Sequence, residues 1–275
     1  LHNIAPLVRN NQTAITFGNG PEIGYLVRQN EETKGISPMP LNVLGAESQG
    51  LIGYLLEEQL LNKLRKHKVK KPIVTILTQV LVDKNDKAFR KPSKPIGAFY
   101  KLKEAGHLVQ KGYDLIEDAG RGYRRVVASP KPLKIVEAEV IKKLITDTIV
   151  IACGGGGIPV IKRNSKLVGV EAVVDKDLAS VCLAKGINAD FLLILTGVDK
   201  VYLNYNKKGQ VGLKKLKLKD AKKYLEEGQF PDGSMGPKIR AAIEFLENGG
   251  KKVLITNPSK VKKALNGKDG TLIIK

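Results

Sequence analysis

Lys84 in VDKND, Lys176 in VVDKDLAS and Lys238 in GSMGPK each follow a strand-like run or open a helix-like one. Strand ends along one edge of an open α/β sheet converge on the crevice where ligands bind, so residues this far apart in sequence can meet. A lysine between two carboxylates, as Lys176 is between Asp175 and Asp177, is held in one rotamer while it keeps its charge. Cations of this kind suit phosphoryl transfer, which asks the protein for positive charge and N–H donors around the transferred group more than for covalent chemistry. Singly, each lysine also reads as a solvated surface residue in a lysine-rich chain. The set becomes informative through the glycines that accompany it.

Thr148 to Val160, TIVIACGGGGIPV, is a β-branched apolar run that stops in Gly154, Gly155, Gly156 and Gly157 and then resumes. Removing every Cβ from a turn lets a ligand lie against backbone N–H groups at a strand end. Polar flanks would make such a run a linker, whereas the apolar flanks here indicate a loop fixed by a sheet. Gly18, Asn19 and Gly20 form a second glycine turn, between a strand over Gln12 to Phe17 and a helix from Glu22, where helix N–H groups favour an anion. Neither loop fits the G-x-x-x-x-G-K-[ST] or G-x-G-x-x-G fingerprint, and no protein-kinase motif set is present.

The elements that must position these residues alternate between strand and helix, which predicts a mostly parallel sheet. Leu1, Ile4, Leu7 and Val8 fall at helical spacing, and Val43 to Lys66 carries a leucine stripe over a long helix. Ile73 to Val82 reads as one long strand, Ile135 to Ile145 as a helix, and Arg163 to Lys166 as a turn between two short strands. Further on, a helix is predicted over Asp177 to Lys185, an apolar strand over Asp190 to Thr196, and a strand over Val201 to Asn204. Helices over Leu218 to Glu227 and Lys238 to Glu247 and strands over Lys252 to Thr256 and Thr271 to Ile274 complete the chain. Asp86 to Arg125 is rich in Pro and Gly but holds Phe89, Phe99, Tyr100, Tyr113 and Tyr123, so it reads as an inserted subdomain with a core of its own.

A chain of 275 residues that is 42% hydrophobic can bury a large core as one α/β domain or two lobes. The net charge of +20 comes from lysines spread along the whole chain, without Arg and aromatic interleaving, which argues against a nucleic-acid partner and for attraction of small anions. His2, His67 and His107 show no H-x-x-x-H spacing, no C-x-x-C occurs, and no metal ligand is assigned. Cys153 and Cys182 read as structural thiols of a reducing compartment, and neither a long apolar run nor a leader pattern is seen, so no membrane is expected and the cytoplasm is the default.

As a set, ITFGNGP, LVDKNDKAF with KPIGAFY, EDAGRGYRRVVASP, ACGGGGIPV, GVEAVVDKDLAS and GSMGPK resemble the carbamate kinases of the amino-acid kinase superfamily over essentially the whole chain. The resemblance implies a three-layer αβα sandwich with a central, mostly parallel open sheet. It also implies a homodimer and two lobes, a carbamate/carbamoyl-phosphate lobe over 1–160 and a nucleotide lobe over 161–275, with the protruding subdomain near 86–125. The implied reaction is ATP plus carbamate giving ADP plus carbamoyl phosphate, run toward ATP in arginine fermentation. By matching position, Lys84, Lys176 and Lys238 would surround the transferred group, and Gly18 to Gly20 and Gly154 to Gly157 would hold carbamate and phosphate oxygens. Asp175 and Asp177 would orient Lys176 and its neighbours; Val201 to Tyr205, Met235 and Gly236 would border ATP or ADP, and Mg²⁺ would come with the nucleotide. Phe17 stands where the family usually has histidine and Gly197 where it usually has aspartate, and the family's first strand with its G-G-N-A loop is not found in the chain. The alternatives are a kinase of another small carboxylate in the same superfamily, or a non-catalytic nucleotide- or nucleic-acid-binding relative.

Overall fold

The computed structural model describes residues 4–110, 112–118 and 120–275, so Leu1 and His2 lie outside the described residues. The first part of the chain runs α1 (Ala5–Asn10), β1 (Thr13–Ile15), α2 (Gly20–Glu32), α3 (Leu41–Lys66), β2 (Ile73–Thr75) and β3 (Gln79–Val82). The leucine stripe of α3 buries Leu60 and Leu64 completely, and Lys63, Arg65 and Lys66 complement the negative end of the helix dipole in its last turn.

The run Ile73 to Val82 is two strands and not one. The backbone breaks at Ile76–Thr78 around a buried side-chain clamp: Thr78 N–H donates to Gln49 Oε1 (2.9 Å), and Gln49 Nε2 donates to the Thr78 carbonyl (3.1 Å). Thr78 Oγ1 in turn donates to the Ile76 carbonyl and accepts from Cys153 N–H. Period-2 apolarity continues through such a break, so periodicity cannot detect it.

The inserted segment folds as β4 (Lys94–Tyr100), α4 (Leu102–Gln110), β5 (Leu115–Glu117) and β6 (Tyr123–Val127), an antiparallel sheet of order β4-β6-β5. Its aromatics serve as platforms for cations: Arg121 and Arg124 lie over Phe99, and Arg125 lies 3.9 Å from the Tyr113 ring centre. Next come β7 (Pro132–Ile135), α5 (Ala138–Leu144), β8 (Ile149–Ile151), β9 (Ile158–Arg163) and β10 (Lys166–Gly169). The helix predicted from Ile135 therefore starts three residues later, because Ile135 ends a strand that pairs with Val80 of β3. β9 and β10 form the expected hairpin, with Asn164 and Ser165 at positive φ in its turn.

The remainder is α6 (Lys176–Gly186), β11 (Phe191–Leu195), β12 (Val201–Leu203), β13 (Val211–Leu213), β14 (Lys215–Lys217), α7 (Leu218–Glu226), α8 (Met235–Glu247), β15 (Lys252–Thr256), α9 (Val261–Leu265) and β16 (Thr271–Ile274). Pairing is parallel in β1-β8-β2, between β3 and β9, and between β11 and β15, so the mixed α/β, mostly parallel expectation holds. Alternation along β8 makes the sandwich: Ile149 packs with α1 and α3 through Val8, Leu60 and Leu64, while Val150 packs with Ile141 of α5 and Leu183 of α6 on the opposite face. A boundary after residue 160 falls inside β9, whose pairing with β3 and β10 keeps residues 158–169 in one sheet with β3 and β7. α6 then spans both halves, with Ala179 and Leu183 in one core and Val181 and Ala184 in the other. No helix among the described residues is long and apolar enough to cross a membrane.

Gln49→Ala leaves the Thr78 N–H and carbonyl without their buried partners, at a cost of about 2–3 kcal/mol. Urea unfolding should show a lower midpoint with an unchanged slope.

Candidate active site

Asp175, Lys176 and Asp177 sit where α6 begins. Asp175 caps the helix, its Oδ1 accepting from Asp177 N–H (2.9 Å), and this fixes the direction in which the next two side chains leave the backbone. Asp177 is buried, and its carboxylate joins two lysines: Lys176 Nζ donates to Oδ1 (2.7 Å) and Lys238 Nζ, from the first turns of α8, donates to Oδ2 (3.3 Å). Lys238 also donates to the Ser234 carbonyl. The Lys176 chain lies over Gly18, where a Cβ would stand 3.1 Å from its Cδ.

A third cation reaches this cluster, and it is Lys94 of β4, not Lys84. Lys94 Nζ donates to Asp175 Oδ2 at 3.2 Å. Lys84 stands exposed in the turn after β3, and none of the contacts that join Lys94, Lys176 and Lys238 to the two aspartates reaches it. The acidic residues of VDKND build that turn: Asp83 accepts from Asn85 N–H, and Asp86 accepts from the N–H groups of Ala88 and Lys131. Those two backbone donors hold the Asp86 carboxyl below the usual range. The Lys94 signal was present in KPIGAFY, but a lysine beside a proline in a strand has no periodicity of its own.

The tetraglycine loop behaves differently from the ligand-spacing turn read from sequence. A Cβ at Gly154 would collide with the Phe17 ring, at Gly155 with the Asn19 amide, and at Gly156 with the Val174 carbonyl. These glycines admit neighbouring protein, and three of the loop's four N–H groups are used internally: Gly155 donates to Phe17 O, Gly156 to Cys153 O and Gly157 to Gly154 O. Phe17 thus has a packing role above Gly154. Cys153 precedes the run in the left-handed region at φ 52, and burial pushes its thiol up. Both cysteines are free, as expected of structural thiols.

Asn19 spends its side chain on Ser48 Oγ (2.7 Å) and on contact with Gly155, so it does not cap α2. The first turn of α2 therefore keeps N–H groups without a side-chain cap, next to Gly18 and the Lys176 chain. On the far side, Val201 is fully buried in the core and its N–H donates to Thr271 Oγ1. Tyr205 is exposed and tilts against Tyr202. α8 starts at Met235, three residues ahead of the helix start expected at Lys238, and Gly236 is buried against the Phe230 and Pro231 carbonyls. Gly197 offers open space and accepts from Asn257 Nδ2 through its carbonyl.

Burial opposes ionisation of Asp175, but the Lys94 ammonium and the two helix N–H groups outweigh it and hold the carboxyl below its ordinary value. Among the described residues no group of three or more His, Cys, Asp or Glu could hold a metal ion. Both site carboxylates are already engaged by lysines, so they do not fit as ligands of a protein-held cation. The arrangement can bind a multiply charged oxyanion between three ammonium groups and a helix N-terminus.

A profile described as the amino acid kinase family matches residues 1–257. The carbamate kinase of Pyrococcus horikoshii is 48% identical over 272 residues, 97% of this chain and 87% of that protein. The carbamate kinase of Clostridium perfringens is 48% identical over 281 residues, 99% of this chain and 90% of that protein. The structure of Giardia lamblia carbamate kinase bound to AMP-PNP superposes with a TM-score of 0.91 at 45% identity, covering 99% of this chain and 90% of that one.

Because its folded-state value is depressed, Asp175 stabilises the protein above its unfolded pKa, and this contribution is lost as pH falls through the lower, folded value. Asp175→Asn should therefore lower the urea midpoint at neutral pH and flatten its fall below about pH 4. Equal steepness in both proteins would dissociate Asp175 from acid stability.

Proposed function

The chain belongs to the amino acid kinase family, and from this we propose that it is a carbamate kinase, transferring a phosphoryl group reversibly between ATP and carbamate. The observation that carries the reading is the buried Asp177 carboxylate gripping Lys176 and Lys238 beside Asp175 and Lys94, on a chain close in sequence to carbamate kinases throughout. In the forward direction a carbamate oxygen attacks the γ-phosphorus of ATP, the bond from that phosphorus to the β,γ-bridging oxygen breaks, and ADP leaves with the electron pair. Negative charge moves from the attacking oxygen through the transferred group to ADP. Fixed ammonium groups on either side stabilise that spread charge without reorganising, which is where catalysis of this reaction resides.

In this reading Lys176 and Lys94 face the carbamoyl phosphate side, with the α2 N-terminus at Gly18 to Gly20 taking oxygens of the substrate, and Lys238 faces the nucleotide. Asp177 holds the first and third lysines in place, and Asp175 holds the second. Gly154 to Gly157 act through the shape they impose on Phe17 and Asn19. Tyr205 and the start of α8 at Met235 and Gly236 border the nucleotide. Magnesium arrives with ATP, held by phosphates and water, and no step is routed through the carboxylates. The cation-rich surface attracts these anions, a cytoplasmic enzyme of arginine breakdown run toward ATP fits the substrates, and α6 joins a carbamate lobe to a nucleotide lobe. Exposed Leu51, Tyr54 and Leu55 on one side of α3 favour a homodimer through that helix.

The test is coupled ATP production from carbamoyl phosphate and MgADP. Lys176→Ala should lose at least about a hundredfold in kcat, Lys94→Ala about tenfold or more, and Lys84→Ala should stay within about threefold. Full activity in Lys176→Ala would overturn the site. Sedimentation should give a dimer that Leu51→Glu with Leu55→Glu converts to a monomer, and a monomeric parent would remove the dimer.

A further inference from the structure

Ser180 and Ser48 stand on two different helices, have no part in the reaction as described, and bond the same short stretch of chain. Ser180 Oγ donates to the Lys176 carbonyl (2.6 Å) and lies 2.7 Å from Thr16 Oγ1. A serine hydroxyl has one proton, and here the helix takes it, so Thr16 is the donor in the second bond. On α3, Ser48 does the same: it donates to the Gly45 carbonyl and accepts from Asn19 Nδ2. Residues 16–19 are thus strung between α6 and α3, with Gly18 and the Lys176 chain that covers it in between.

The Thr16 end of the link to α6 is fixed. The carbonyls on either side of it are taken by the chain that follows β8, Ile15 O accepting from Ala152 N–H (2.9 Å) and Phe17 O from Gly155 N–H (2.8 Å). On the helix side, Ala179 and Leu183 seat α6 in the core. Apolar contact is not directional, whereas a hydrogen bond is, so the Thr16 to Ser180 bond sets what that packing leaves open.

The spacing on the two sides matches. Lys176 and Ser180 lie on one face of α6, a single turn or about 5.4 Å apart along its axis. Gly18 and Thr16 are separated by one residue, about 6–7 Å in extended chain. Ser180 therefore meets Thr16 while Lys176 meets Gly18, and these residues line one groove.

We propose that Thr16 and Ser180 are positioning residues for Lys176. Three contacts then locate its ammonium: Asp177 at the tip (2.7 Å), Gly18 along the stem, and the Thr16 to Ser180 bond at the root, through the Lys176 carbonyl. The proposal rests on the phosphoryl transfer assigned to the site. In that reaction a lysine displaced by a fraction of an ångström stabilises the transition state less well, while the substrates are still bound.

Coupled ATP production is measured for Thr16→Val, which keeps the shape and removes the donor, and for Thr16→Ser, which keeps the donor. Thr16→Val should lower kcat about tenfold with KM for carbamoyl phosphate and MgADP within about twofold of the parent, and Thr16→Ser should hold kcat within about twofold. Added to Lys176→Ala, Thr16→Val should cost no more than about a further twofold, because both changes remove the same interaction. Reductive methylation of the same proteins without substrates should label Lys176 about threefold faster in Thr16→Val and Lys84 at its parent rate. Parent kcat in Thr16→Val, equal losses in the two Thr16 variants, an undiminished further loss on Lys176→Ala, or unchanged labelling of Lys176 overturns the proposal. A parent that makes no ATP removes the reaction and not the link, which the labelling of Lys176 then decides by itself.

Discussion

A single buried carboxylate, Asp177, shared between two ammonium groups, is the constraint to which the rest of the site answers. Burying one ionised group alone costs several kcal/mol, and the cost is met only when the geometry of its partners is good. Asp177 meets it with one lysine per oxygen, Lys176 at 2.7 Å and Lys238 at 3.3 Å. Lys176 comes from the start of α6 and Lys238 from the start of α8, so the pair can form only if both helices begin where they do. The Asp175 cap sets the first, and the tight approach of Gly236 to the Phe230 and Pro231 carbonyls sets the second. Two positive charges held by one negative leave a net cation at the helix ends, where an anionic substrate would find it.

The glycine loop serves this arrangement by subtraction. Without side chains at Gly154, Gly155 and Gly156, the Phe17 ring, the Asn19 amide and the Val174 carbonyl close onto the loop. Val174 is the residue before the Asp175 cap, and Asn19 is the residue before α2. One loop therefore registers two helix N-termini against each other, which a loop with side chains could not do. Its left-handed backbone and the positive φ at Cys153 are held by the sheet through the Thr78 clamp.

How much of this was legible depended on whether the signal was local. The strand and helix alternation, the β9–β10 hairpin and the two lysines on helix starts follow from spacing and turn chemistry, and the structure has them. The break at Ile76–Thr78 was not legible, because its cause is Gln49, a residue 29 positions away in a helix. Val201, placed at the nucleotide border by the resemblance, is fully buried, and its burial is decided by packing against α7, α8 and β16, which no local pattern reports. Lys84 and Lys94 differ in the same way. Both are lysines at strand ends in polar surroundings, and only the fold of the inserted segment turns one toward Asp175 and leaves the other in water. The glycine run was legible as a loop fixed by a sheet, while the occupant of its missing Cβ positions required coordinates.

Beyond the apolar packing of Ile96 and Val127 against Ile23, Val27, Leu41 and Leu44, two polar contacts of unequal strength tie the inserted segment to the rest of the protein. Near α2, Arg125 is nine-tenths buried, pairs with Glu31 and Glu171, and lies under the Tyr113 ring, while the Tyr100 hydroxyl donates to Glu31. Such a network is costly to break, because separating it strands a buried charge. At the site Lys94 of the segment pairs with Asp175 at the start of α6, with side chains 43% and 22% exposed, a pair worth about 0–1 kcal/mol. An oxyanion arriving between Lys94 and Lys176 can replace that carboxylate at little cost, whereas it cannot dislodge Arg125. The anchor is thus placed away from the chemistry and the exchangeable contact at it, so that binding of substrate competes with the weaker of the two.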